Sequence, residues 1–283
     1  MSDSWDPDRY HRFREERALP FHDLLALAQP FAGDPLSGRP RLLDLGCGSG
    51  ELTVEAHRRL GSGSTLGVDA SPAMLAEAVQ LDEPGVRFEQ GDLASIAGLD
   101  RELPVAEVGD QRVFGAPGWD LILANASLHW VPDHESVLAA WRAQLRPAGQ
   151  LAVQVPANPD HPSHTTITEV LGEEPFATAL GGRIPPDPLR SVQSPERYAQ
   201  ILWELGAADQ VVRLGVYGME MASWSDVVEW TSGTALVRAR DVLAPELYEE
   251  FLVRYRERLG EHLGHRAPYF YAFKRILMWA RFP

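Results

Sequence analysis

The chain has one cysteine, Cys47, in 283 residues. A single thiol excludes an intramolecular disulfide framework and any zinc site built from several cysteines. Positive charge is also scarce: 26 Lys and Arg stand against 40 Asp and Glu, for a formal charge of −14. A surface that acidic repels nucleic acid and anionic membranes, so neither is expected as a partner. A small anionic ligand stays open, because a few buried arginines reverse the potential locally. No apolar run approaches the length of a membrane span. The opening MSDSWDPDRYHRF is polar and mixed in charge, unlike a secretory leader. The expectation is a soluble, cytoplasmic protein, monomeric or homodimeric, that carries no metal.

Apolar residues make up 45% of the chain, enough to build a packed core. From Arg41 onward, short apolar runs (RLLDL, STLGVD, VRFEQGD, WDLILAN, GQLAVQVP) alternate with helical stretches (ELTVEAHRRL, PAMLAEAVQ, HESVLAAWRAQL). Alternation at this spacing predicts an α/β fold with a Rossmann-like, doubly wound, mostly parallel sheet. Three regions are expected: a helical N-terminal segment over 1–37, an α/β core over 38–156, and a remainder over 157–283. The last holds strands near 209–221 and 272–282 and a helical cap near 222–264, built from Trp224–Val237 and Pro245–Leu263. The 93–118 stretch is too long for an ordinary connection and reads as an insertion or mobile surface loop; whether it orders on cofactor binding stays open at this point.

RLLDLGCGSGELTVEA, Arg41 to Ala56, runs from a strand through Gly46, Gly48 and Gly50 into a helix. A dinucleotide fingerprint needs its third glycine three positions after the second, where Glu51 stands. A phosphate-binding loop needs Gly-Lys-Ser/Thr, and the turn has no lysine. Both phosphate readings fail at named positions, which leaves an ordinary glycine-rich turn or a different ligand. Asp69 in GVDASPAML, Asp92 in EQGDLA and Asn125 in LILANASLHWVPDH then fall at the ends of three further strands. Open α/β sheets bind ligands at those ends. Taken singly, Asp69 could cap a helix, although Ser71 before Pro72 suits that role better, and Asp92 could be a turn residue.

The acidic residue two before alternating glycines, with these three companions, resembles motif I and its partners in the class I S-adenosylmethionine-dependent methyltransferases. WDPDRYHRFREERALPF, NASLHWVPDH, LAVQVPANPDHPSH, VQSPERYAQIL, VEWTSGTALV and FKRILMWAR extend the likeness almost end to end, toward the trans-aconitate methyltransferases. The resemblance implies S-adenosylmethionine as cofactor and a small polycarboxylic acid as acceptor, esterified on one carboxylate. It places Arg14, Asp44, Gly46, Cys47, Gly48, Gly50, Asp69, Ala70, Met74, Gly91, Asp92, Leu93, Asn125 and Ala126 at the cofactor. Tyr10, Arg17, His129, Trp130, Arg238 and Arg275 are placed at the acceptor.

A carboxylate acceptor is ionised at neutral pH and needs no base. A hydroxyl or amine would need one, and His129 stands where it could serve. His129 is therefore read three ways: a contact to acceptor or cofactor, a general base, or a structural ring beside Trp130. Arg14, Arg17, Arg238, Arg240, Lys274 and Arg275 are the candidate cations, since guanidinium groups pair with carboxylates. His161 and His164 resemble a metal pair only superficially, with Ser163 expected as the local cap. Leu19 stands where some relatives carry a basic residue, and Tyr269, Phe270, Tyr271 and Phe273 add an aromatic run. Both departures keep open a less acidic or more apolar acceptor. A protein that binds the cofactor without turnover is the other alternative.

Overall fold

The computed structural model describes residues 13–29, 31, 39–95, 106–108, 111–113 and 118–283. Tyr10 lies outside the described residues, as does most of the 93–118 stretch, and the side chains of Arg14 and Arg17 are not described. In chain order the elements are α1 (Arg14–Leu25), β1 (Arg41–Leu45), α2 (Glu51–Arg59), β2 (Ser64–Asp69), α3 (Pro72–Ala78) and β3 (Val86–Gln90). Then come β4 (Ala106–Val108), β5 (Gln111–Val113), β6 (Trp119–Asn125), α4 (His134–Arg142) and β7 (Leu145–Pro156). After these follow α5 (Pro162–Leu171), α6 (Phe176–Ala179), α7 (Pro195–Glu204), β8 (Asp209–Met221), α8 (Asp226–Ser232), α9 (Val237–Arg240), α10 (Pro245–Leu263) and β9 (Tyr269–Arg281).

The seven-stranded sheet has the order β3-β2-β1-β6-β7-β9-β8, and β4 pairs with β5 in a separate antiparallel hairpin. Strands β3, β2, β1, β6 and β7 are mutually parallel, whereas β9 runs antiparallel to β7. Every residue of β1 is buried, as a central strand covered on both faces requires. β7 begins earlier than GQLAVQVP predicts. Its pairing with β6 jumps from Trp119–Leu145 to Leu121–Gln150, so Arg146 to Gly149 bulge out, with Ala148 at φ 62°.

The chain divides into two compact units. One comprises Ala18–Pro156, Ser191–Gly215 and Arg275–Pro283 and holds the parallel strands. The other comprises Met1–Arg17, Ala157–Arg190 and Val216–Lys274. The first break falls between Arg17 and Ala18 rather than at 37, and another falls between Pro156 and Ala157. Segment 191–215 and the end of β9 return to the α/β unit, because β8 and β9 each pass from one unit into the other. The second unit has its own core, in which Ile167, Phe176, Trp230, Phe251, Tyr255 and Phe273 meet.

Trp224 to Val237, expected as one helix, holds the short α8, Asp226–Ser232, and the next helix starts only at Val237. Thr231 donates its hydroxyl back to the Val227 and Val228 carbonyls, 2.9 and 3.1 Å away, and Gly233 follows. Such back-bonding competes with the helix ladder. Helix α5 was not foreseen among the Pro and His residues of NPDHPSH. Its cap is His161, not Ser163: the His161 Nδ1 accepts from the Ser163 amide at 3.1 Å. No helix among the described residues is long and apolar enough to cross a membrane.

Candidate active site

The glycine turn begins where β1 ends. The amides of Gly46 and Cys47 both donate to the Val68 carbonyl of β2, at 2.7 and 3.1 Å, and tie the turn to the neighbouring strand. Gly46, Gly48 and Gly50 have φ of 79°, 56° and 81°, a region open to glycine at little cost. The three differ in what surrounds them. A Cβ on Gly46 would collide with Ser127, and one on Gly50 would lie 2.6 Å from the Phe88 ring. A Cβ on Gly48 would meet no atom within 4 Å. Packing explains the outer glycines; the middle one lies under open space.

Asp44 is 4% exposed. Its Oδ2 accepts from the Thr53 hydroxyl at 2.6 Å, while its Oδ1 is buried without a partner. Burial pushes its pKa up to about 7; the Thr53 hydrogen bond opposes the rise and the Asp69 charge adds to it. A carboxylate oxygen held dry and unpaired suits a cationic donor. Asp69 accepts from the Gly48 amide at 2.9 Å and from the Ser71 amide at 2.8 Å. Ser71 itself caps α3 by accepting from the Met74 amide, so the cap and the acid are separate residues. Burial raises the Cys47 pKa, helped by the charges of Asp44 and Asp69, which makes this thiol an inert filler. Gly91 donates to the Asp69 carbonyl at 3.0 Å, and the Ala70 carbonyl accepts from Gln90 at 3.3 Å. Asp92 is exposed, its Oδ1 accepting from the Ala94 amide at 2.9 Å, and the Leu93 carbonyl accepts from the Trp141 indole at 2.8 Å.

Past β6, Ala126 adopts φ 54°, a strained region for a residue with a Cβ, and its amide donates to the Gln154 carbonyl at 2.9 Å. Ser127 donates to the Leu45 carbonyl at 2.5 Å, fastening the end of β6 to the end of β1. A 3-10 turn over Leu128–Trp130 follows. His129 is buried, its ring 4.9 Å from that of Trp130, which is exposed. Behind the turn, His134 Nε2 lies 3.1 Å from the Val131 carbonyl and its Nδ1 2.6 Å from the Tyr198 hydroxyl. Asn125 and Arg275 both reach Gln154, at 2.8 and 3.4 Å.

In the second unit, the cations separate into spent and free. Buried Arg238 donates to the Pro185 and His164 carbonyls at 3.0 and 3.2 Å and to the Thr168 hydroxyl at 2.9 Å, with Asp187 3.8 Å away. A guanidinium committed in this way ties segments together, so the acceptor role expected of Arg238 has to compete with three internal partners. Lys274 pairs with Asp160 at 2.8 Å. Arg240, two residues beyond Arg238, has its Nε and Nη2 buried without partners. Among the described residues no three His, Cys, Asp or Glu side chains cluster as a metal site.

Thr53, Ser127 and Gln154 stand out only in the structure, although Gln154 carries one legible signal, a lone amide inside the apolar LAVQVP. The donor set fits S-adenosylmethionine: a dry carboxylate oxygen for an ammonium, a second carboxylate for ribose hydroxyls, and a turn with clearance above Gly48. A pyrophosphate would face Asp44 and Asp69, two acids whose charges are close enough that Asp69 raises the pKa of Asp44.

The methyltransferase-domain family model matches residues 10–210. The chain belongs to the methyltransferase family. It is 38% identical to the trans-aconitate 2-methyltransferase of Deinococcus radiodurans, over 99% of each chain. The protein of the same name from Methylobacterium nodulans is also 38% identical, over 91% of this chain and 89% of that one. Among solved structures, the YcgJ protein of Bacillus subtilis aligns with a TM-score of 0.52 at 15% identity, covering 92% of this chain and 98% of that one. That likeness shows a shared fold and nothing more.

Proposed function

We propose that this chain transfers a methyl group from S-adenosylmethionine to a carboxylate of a small polycarboxylic acid, with trans-aconitate as the first acceptor to test. The observation that carries the cofactor is the buried, unpartnered Oδ1 of Asp44 beside a turn open above Gly48. The acceptor rests on the full-length likeness to proteins named for it.

Bound in this turn, the cofactor supplies an electrophilic methyl on a sulfonium. Asp44 would hold its ammonium, Asp69 its ribose hydroxyls, and Asp92 with Leu93 and Met74 its adenine. With the cofactor bound, the acceptor oxygen would gain the bond to carbon while the sulfur–carbon bond broke, its electron pair staying on sulfur. One negative and one positive charge disappear together, and no proton moves. The protein's task is orientation and removal of water, which for well-aligned reactants supplies up to roughly 7–11 kcal/mol. His129 then needs no basic role, and its burial against Trp130 supports reading it as part of the wall of the acceptor site.

One observation favours a less charged acid. Arg238 and Lys274, two cations that a tricarboxylate could have used, are committed to Pro185, His164 and Thr168 and to Asp160. Incubation with labelled S-adenosylmethionine and a panel of carboxylic acids, with the product mass read out, decides between them. Ester on trans-aconitate supports the leading reading; ester only on monocarboxylates supports the second; cofactor binding with no ester on any acid leaves a binding protein.

A further inference from the structure

Gln154 is 1% exposed in the middle of the sheet, where an amide survives only if its hydrogen bonds are met. Its partners lie on either side. Across β6 it stands directly opposite Asn125 in the parallel pairing. Across β9 it faces Leu277, which leaves Arg275 diagonally adjacent on the same face. The three side chains form one row over three strands: Arg275 Nη1 to Gln154 Oε1 at 3.4 Å, and Gln154 Nε2 to Asn125 Oδ1 at 2.8 Å.

The chemistry of the end residue fixes the whole row. A guanidinium has donors and no acceptor, so the Gln154 atom facing Arg275 has to be its oxygen. The Gln154 nitrogen therefore faces Asn125, and the Asn125 atom receiving it has to be the oxygen. What remains is the Asn125 NH2 group, which no described residue accepts from, at the carboxyl end of β6. An amide whose orientation is usually ambiguous is here determined by an arginine two strands away.

Strand order says what that NH2 meets. Asp92 follows β3, Asp69 ends β2, and Asp44 with the glycines ends β1. A cofactor held by all three lies across β3, β2 and β1, and β6 is the next strand, about 4.8 Å further on. We propose that Asn125 is an acceptor-facing hydrogen-bond donor and that Gln154, held by Arg275, is the positioning residue that keeps its amide turned that way. Such a donor selects an acceptor atom with lone pairs and no hydrogen, a carboxylate oxygen, over an amine. The inference rests on the methyl-transfer reading above and moves Asn125 from the cofactor to the acceptor.

The test is Gln154→Glu, close to isosteric and free of donors. Glu at 154 accepts from Arg275 with one oxygen and from the Asn125 NH2 with the other, which turns the Asn125 oxygen toward the acceptor. The expected result is an acceptor KM raised by about tenfold or more, the worth of one hydrogen bond to a charged group, with cofactor Kd and melting temperature unchanged. Asn125→Asp, which keeps the bond from Gln154 and points a carboxylate at the acceptor, is the second variant and moves KM the same way. Unchanged KM in both variants overturns the proposal. So does a cofactor Kd that rises with KM, since Asn125 would then serve the cofactor, or a melting temperature that falls with both, which marks structure alone. A wild-type chain that esterifies no acid fails earlier and overturns the methyl-transfer reading itself.

Discussion

Asp44 in one unit and Arg238 in the other are both buried ionisable groups, and the chain treats them in opposite ways. Arg238 has three internal acceptors and Asp187 beside it; its charge is used up holding Pro185, His164 and Thr168 together. Asp44 has one internal donor and one oxygen left dry and unpaired. Leaving a buried acceptor unmade costs about 1–3 kcal/mol, and a fold keeps such a cost where a ligand removes it. Arg238 has both terminal nitrogens committed, with only its Nε left unpaired, and marks scaffold; a carboxylate with a whole oxygen unpaired beside an open turn marks a site. The same contrast recurs at closer range, between Gly46 and Gly48 in one turn and between Arg238 and Arg240 around one helix.

The glycines allow the harshest test. Gly46→Ala drives a Cβ into Ser127, whose hydroxyl ties β6 to β1, so the variant is expected to lose stability and cofactor binding together. Gly48→Ala puts its Cβ into open space and suffers only the left-handed backbone, about 1–2 kcal/mol. It is expected to fold, with a slightly lower melting temperature, while cofactor Kd rises at least about a hundredfold. Thermal melts and binding isotherms on both variants separate the two roles. Equal losses of binding and stability at the two positions would break the distinction between a packing glycine and a ligand glycine.

Asp44 comes next in size. Asp44→Asn is expected to weaken cofactor binding by about 1.5–3 kcal/mol, the range for a hydrogen bond to a charged group. The wild type adds a pH signature. Before the cofactor binds, Asp44 titrates near 7 because it is buried. Only its ionised form attracts an ammonium, so affinity rises with pH up to about 7, levels off above, and binding below 7 releases a proton. Folding shows the reverse slope: a raised carboxyl pKa stabilises the protonated apo fold at low pH, and that contribution is lost as pH rises through about 7. Calorimetry in two buffers of different ionisation enthalpy counts the released proton, which should vanish in the Asn variant.

How much of this could be read in advance follows the same division. The strands of the seven-stranded sheet, the glycine turn, and the placement of Asp44, Asp69, Asp92 and Asn125 at strand ends were legible, because period, breaker residues and strand-end position are local signals; the β4–β5 hairpin was not. Ser71 as cap was legible for the same reason. The partners of buried charges were not. Nothing in VRAR says that Arg238 reaches back to Pro185 and His164 while Arg240 stays unmet, since those contacts span 53 and 74 residues. Helix α5 was hidden by composition: Pro162 and His161 look like loop residues, yet Pro at the first turn and His as cap both start helices. The unit boundaries inside β8 and β9 were hidden too, since a strand crossing between units looks like any strand.

The paired arginines test that long-range part. Arg238→Met removes three hydrogen bonds and leaves Asp187 with less compensation, an expected destabilisation of about 2–4 kcal/mol in denaturant melts. Arg240→Met leaves no internal acceptor unpaired and buries an apolar chain where two nitrogens lacked partners. Its stability is expected to be equal or higher. Destabilisation at 240 equal to that at 238 would place both arginines in the scaffold.

The smallest expected effect concerns the turn that carries His129 and Trp130. Burial holds the His134 pKa below its ordinary value, so the ring is neutral and donates from one nitrogen only. With Nε2 facing the Val131 carbonyl, the proton sits there, and Nδ1 accepts from the Tyr198 hydroxyl. Tyr198 in turn accepts from the Gln193 amide at 3.2 Å. Every member of this chain is satisfied, so it is scaffold by the same criterion, although it lies directly behind a site element. Tyr198→Phe leaves a buried imidazole nitrogen and a backbone amide unpaired and is expected to cost about 1–2 kcal/mol. Because the bond to Val131 survives, the turn keeps its shape, and cofactor Kd and acceptor KM should both hold within about twofold. A rise in acceptor KM larger than the stability loss accounts for would show that satisfied groups also tune the site, and would blunt the contrast between Asp44 and Arg238.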